Sequence, residues 1–152
     1  MEALDETDRR ILSLLQIEGR LSGAEVGRRV GLSQPAASAR IQRLENRGVI
    51  TGYRAVVDPT ALGLSMRAVI RLRTTHAQLA PALDLASRTP EIVSTMRVTG
   101  EDCLIFDVHT AGARRLETVV DALARYGPVT TSVVLHMYDT KPLTGTAYVP
   151  DR

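Results

Sequence analysis

Apolar residues in the first third of the chain recur at helical spacing, and after Gly48 the spacing changes to two. Ile11, Leu14 and Leu15, with Glu18 at the edge, form one stripe of a helix over about Glu6–Glu18. Asp5 can cap that helix and Gly19 can stop it. Ser22 with Glu25 three residues later is a capping-box pair, opening a short helix that reaches Val30 and ends at Gly31. A third helix is predicted over Leu32–Arg47. Ser33 caps it, Pro35 sits in the first turn where its missing N–H costs nothing, and Gly48 supplies a left-handed stop. Its apolar stripe, Ala37, Ile41 and Leu44, is narrow. Helix, three-residue break, short helix, tight GLS turn and longer helix is the helix-turn-helix order.

From Val49 to Val57 the pattern reads as two short strands or a hairpin about Gly52, a wing with Arg54 near its edge. Asp58 to Gly63 is a turn-rich hinge. Beyond it, Met66, Ala68, Ile70 and Leu72 alternate with Arg67, Val69, Arg71 and Arg73, a half-buried strand. Leu79, Leu83 and Ala86 share a helix face that ends before Pro90. Strands over Ile92–Val98 and Leu104–His109 flank the turn Thr99, Gly100, Glu101, Asp102. A helix over Ala113–Ala124 turns Leu116, Val119, Val120 and Leu123 inward, Gly127 stops it, and Val129–Tyr138 is the last strand. This βαββαβ order is the ferredoxin-like unit, with both helices on one face of an antiparallel sheet. The other face is expected to be covered by a second copy of the chain. The fold class is therefore α+β. Its expected parts are a winged helix-turn-helix domain (1–57), a hinge (58–65), a βαββαβ domain (66–139) and an aperiodic tail (140–152).

The 152 residues carry a net charge of only +2, unevenly spread. Residues 1–21 hold three arginines against five acids, residues 22–57 six against two, and the remainder ten of each sign. Positive charge thus gathers around the third helix, as a phosphate-contacting surface requires. That helix carries Gln34, Ser38, Arg40, Gln42 and Arg43 away from its stripe and has no acid until Glu45. Amide, hydroxyl and guanidinium groups suit base edges in the DNA major groove; the plainer reading is a solvated amphipathic helix. A single cysteine, Cys103, excludes an internal disulfide and a cysteine-rich zinc site, and a buried small hydrophobe is its plainer role. His76, His109 and His136 lie in three elements without ligand spacing, so no metal site and no cofactor are expected. Glu101 and Asp102 could act as an acid/base pair, but adjacent acids on a turn are usually solvated. Tyr53, Phe106, Tyr126, Tyr138 and Tyr148 form no run suited to base stacking. No apolar stretch approaches the ~20 residues that span a bilayer, and Met1 leads onto the acidic EALDETD. A cytoplasmic location with no membrane partner is expected.

Four segments carry a resemblance to a known family: LDETDRRILSLLQIEGR, GLSQPAASARIQRLENRGVITGY, VTGEDC and YGPVTTSVV. In their order and spacing the chain resembles the Lrp/AsnC, or feast/famine, transcription regulators over essentially its whole length. The resemblance implies an N-terminal winged helix-turn-helix, a C-terminal βαββαβ regulatory domain, and dimers that build tetramers or octamers. It also implies a small effector, often an amino acid, bound between dimers; no enzymatic activity is expected. Ser33, Gln34, Ser38, Arg40 and Arg43 fall at the positions expected to meet double-stranded DNA; Gln42, Arg47 and Arg54 are placed on the same surface. Pro35 stands where a small hydroxyl residue is common and bears on sequence preference, while Ala37 replaces a larger aliphatic. The implied effector site is Thr99, Gly100, Glu101, Asp102 and Cys103, with Thr130, Thr131 and Ser132 of a neighbouring subunit. Its chemistry is reasonable in its own right: a glycine turn admits a carboxylate to backbone N–H groups, acids hold an ammonium, and hydroxyls serve either. An acid is common where Cys103 stands, so the replacement bears on which effector is bound. Two alternatives remain open at this point: an architectural DNA-binding protein without effector, and a haem-pathway decarboxylase on the same scaffold. The clustering of Arg28, Arg29, Arg40, Arg43 and Arg47 disfavours the second.

Overall fold

In the computed structural model, residues 3–138 and 140–143 are described; the rest of the tail, with Tyr148, lies outside them. The chain divides into two units, one reaching Val56 and taking in residues 140–143, the other Val57–Tyr138.

The first unit is α1 (Glu6–Ile17), α2 (Gly23–Val30) and α3 (Gln34–Asn46). Local chemistry sets each boundary. Asp5 accepts the Asp8 amide at 2.7 Å, and Ser33 accepts that of Ala36 at 3.4 Å. The Ser22–Glu25 capping box closes in both directions, and Gly31 takes the left-handed stop. Ile11, Leu15, Val26, Val30, Ala37 and Leu44 form the core, flanked by the half-buried Ile41. A Cβ on Gly27 would come within 2.7 Å of the Leu32 carbonyl, so glycine is what lets α2 lie against the turn before α3.

The expected wing is absent as a hairpin. Val49 and Ile50 donate to the Leu44 carbonyl at 2.9 and 3.2 Å, and Thr51–Val57 then runs exposed and irregular. Alternation of apolar and polar residues made the segment strand-like, but a strand needs a ladder, and no described residue pairs with it. Tyr53 fastens it to α3 by donating to the Glu45 carboxylate at 2.9 Å. Desolvation, reinforced by that carboxylate, pushes the phenol up to about 12.

The second unit is β1 (Met66–Leu72), α4 (His76–Arg88), β2 (Ile92–Arg97), β3 (Leu104–Thr110), α5 (Ala113–Ala124) and β4 (Val129–Val133). The sheet is antiparallel throughout in the order β2-β3-β1-β4, the ferredoxin-like arrangement. Ala68, Ile70, Leu72, Leu104, Phe106 and Val108 meet Leu116, Val119 and Leu123 of α5, and Ala82 and Ala86 of α4, in one core. Leu83, expected inward, is 39% exposed; Leu79 and Ala82 take the inner face with Ala86, at the same three-and-four spacing. The last strand stops at Val133 and not at Tyr138; past it only Val134 still donates to β1, to the Arg67 carbonyl at 2.8 Å, among the described residues. The face away from the helices carries Arg67, Val69 and Arg71 beside Ile105, Asp107 and His109. Arg67 grips Asp107 with two bonds of 2.8 and 2.7 Å, and the pair holds the guanidinium in its charged form.

Candidate nucleic-acid and effector surfaces

Helix α3 exposes Gln34, Pro35, Ser38 and Gln42. Gln34, Ser38 and Gln42 recur every four residues and so form one row along the helix. Ser38 also marks the crossing with α2: a Cβ on Gly23 would fall 2.2 Å from its Oγ. Ser33 spends its hydroxyl on the cap. Arg47 is the half-buried cap residue at the far end of α3, and Arg54 is exposed on the irregular segment.

Arg40 and Arg43 do not extend from the row with Gln34 and Gln42. Both turn towards α1 and meet Asp8, a carboxylate only 1% exposed. Arg40 Nη1 donates to Asp8 Oδ1 at 2.8 Å and to Asp5 Oδ2 at 2.6 Å. Arg43 Nη2 donates to the two Asp8 oxygens at 3.1 and 3.0 Å. The Arg40 hydrogen bond, and then the Asp8 amide, hold the Asp5 carboxyl below its usual range; Asp5 and then Asp8 raise Arg40 in return. Sequence reasoning gave Asp8 no role. The available signal was its position three before Ile11 and seven before Leu15, on the buried side of α1.

In the second unit the turn Thr99–Asp102 and the start of β4 meet at one end of the sheet. Cys103 donates its amide to Leu72 at 2.9 Å, and Leu72 is paired with both Leu104 and Val129. Arg71 stands opposite Thr130 and reaches Asp102 at 3.8 Å. Thr99, Gly100 and Glu101 are exposed, and Gly100 has φ 116°, a conformation that glycine adopts without strain. The Cys103 thiol donates to the Thr74 carbonyl at 3.2 Å and is thereby committed to the backbone. Thr131 does not join this group. The two-residue period turns it to the helix side, against Ala113, Leu116 and Val120, while Thr130 and Ser132 share the open face. Arg71 is the residue the implied site lacked, and β-sheet register brings it there. Among the described residues no cluster of His, Cys, Asp or Glu could hold a metal ion, and no helix is long and apolar enough to cross a membrane.

A capped helix-turn-helix followed in the chain by a βαββαβ domain with an open sheet face defines a DNA-binding protein with a separate regulatory domain. Residues 4–45 match the AsnC-type helix-turn-helix domain and residues 67–143 the Lrp/AsnC ligand binding domain. The chain belongs to the Lrp/AsnC family of transcriptional regulators and is a regulator, not an enzyme. It is 36% identical to the uncharacterized HTH-type transcriptional regulator YezC of Bacillus subtilis, over 91% of this chain and 99% of that one. Among solved structures it resembles B. subtilis LrpC, with a TM-score of 0.85, 28% identity and coverage of 93% of this chain and all of LrpC. It also resembles the regulator NMB0573 of Neisseria meningitidis in complex with L-Met, with a TM-score of 0.83 and 28% identity, over 92% and 96% of the two chains.

Proposed function

We propose that this regulator reads DNA with the exposed row of α3 and answers to an amino acid bound at the Gly100 end of the sheet. The observation that carries the reading is the meeting there of Arg71, Asp102, Thr130 and the exposed glycine turn. Those groups offer a cation for a carboxylate, an acid for an ammonium, and backbone N–H groups that no Cβ shields. The L-Met complex of the Neisseria relative supports an amino-acid effector. A second copy of the chain covers the open sheet face, and further association places the neighbour's hydroxyls against the turn. The resulting dimer presents two α3 helices to half-sites in the cytoplasm. Gln34 and Gln42 contact base edges, Ser38 lies between them, and Arg47 and Arg54 approach phosphates.

Melting the full-length protein against the twenty amino acids tests the effector reading, because a ligand bound by the folded state alone raises the midpoint. A rise with one or a few amino acids, lost in Gly100→Val, is expected. No rise with any of them overturns the effector reading and leaves an architectural DNA-binding protein.

A further inference from the structure

Four charges bind α1 to α3, and they cancel. Asp5 and Asp8 supply two negative charges, Arg40 and Arg43 two positive ones, all within 3.1 Å of a partner. The positive excess that the sequence places around α3 is therefore offset there by two carboxylates, which hold both guanidinium groups while 29% of the Arg40 side chain and 43% of the Arg43 side chain stay exposed. Asp8 is buried, so pulling either arginine away leaves a carboxylate with fewer partners and no access to water. Phosphate contacts strengthen binding to every sequence alike, whereas base-edge contacts discriminate. A free arginine on a recognition helix adds mainly to the first kind of binding unless it is held against a base.

We propose that Asp8 is a specificity-determining residue: it withholds Arg40 and Arg43 from DNA phosphates, so that discrimination rests on the uncharged row Gln34, Ser38 and Gln42. Asp8 touches no DNA itself; it acts by holding two side chains that otherwise would. This inference rests on α3 being the DNA-reading helix. It differs from a purely structural role because it assigns a consequence to the charge of Asp8 and not only to its shape.

The test uses full-length Asp8→Asn, nearly isosteric and uncharged, with binding to a random-sequence 30-base-pair duplex followed from low to high salt. Each released arginine that meets a phosphate steepens the dependence of log K on log salt by about 0.9. The expected result is a slope steeper by about 1 to 2, tighter binding to the random duplex at low salt, and a flatter base preference when sites are selected from a random pool. Arg43→Gln alone leaves the wild-type slope unchanged, and combined with Asp8→Asn it takes back about 0.9 of the increase. An unchanged or shallower slope in Asp8→Asn overturns the proposal, as does a loss of about 0.9 in Arg43→Gln alone. If circular dichroism shows Asp8→Asn unfolded, the Arg43→Gln slope decides between the same two results. Gln42→Ala, run beside them, separates the two readings: unchanged base preference overturns α3 as the reading helix. Altered preference with an unchanged Asp8→Asn slope overturns only the role of Asp8.

Discussion

The two units handle charge in opposite ways. Among the described residues, the helical unit buries Asp8 beside a core of six apolar residues and closes two arginines over it. The sheet unit has a core of eleven and leaves its acids outside it; Asp107 stays on the open face, 19% exposed and gripped by Arg67. A small core fixes the orientation of three short helices poorly, and a directional ion-pair network adds orientation that non-directional apolar contact cannot. Such a network is weak evidence of net stability, because desolvation offsets much of the Coulomb gain. Its value in the first unit is where it holds α3 and its guanidinium groups. In the second unit the corresponding pair lies on the open face of the sheet.

The two units differ most in the core of the sheet. Phe106 is fully buried, and Phe106→Ala is expected to cost the sheet unit about 3–5 kcal/mol in urea unfolding. Helical signal from α1–α3 should persist after the sheet unit melts; loss of both together would show that the units do not fold separately. A smaller effect is expected at the start of α2. Ser22 accepts the Glu25 amide and Glu25 accepts the Ser22 amide, so Ser22→Ala removes half of the box and should cost the helical unit about 1 kcal/mol by the same measurement. The smallest effect is on pH. Asp5 and Glu25 in the first unit, and Glu91 in the second, are held below their usual 3.8 and 4.5, by Arg40, Ser22 and Arg115 respectively. A carboxyl lowered by folding stabilises fully above its unfolded value and loses that contribution as pH falls through the folded one. Melting temperature should therefore hold from pH 7 to about 5 and decline below about 4, with the helical unit declining alongside the sheet.

The features that were legible in the sequence are those with local causes. The Ser22–Glu25 box, the Ser33 cap and the Gly31 stop are each set by residues within a turn of one another, and all form as their chemistry requires. The βαββαβ order was legible because each period runs long enough to be distinctive. What was not legible depends on residues far apart in the chain. Nothing near Arg40 or Arg43 signals a partner 32 to 35 positions away. Alternation in Val49–Val57 announces extended backbone but not a pairing strand, and the hairpin fails for want of one. Thr130, Thr131 and Ser132 are adjacent in sequence, yet a strand sends the middle one to the opposite face. Arg71 enters the candidate effector group only through register with Thr130.

In the proposed function the sheet unit regulates what the helical unit binds. That regulation is tested most directly by the affinity of the full-length protein for a selected DNA site, measured at constant salt with and without the amino acid that raises its melting point. A change of about 5- to 150-fold, in either direction, is predicted, together with its loss in Gly100→Val. Equal affinity with and without a saturating amino acid would contradict the claim, for a ligand that binds both states equally shifts neither.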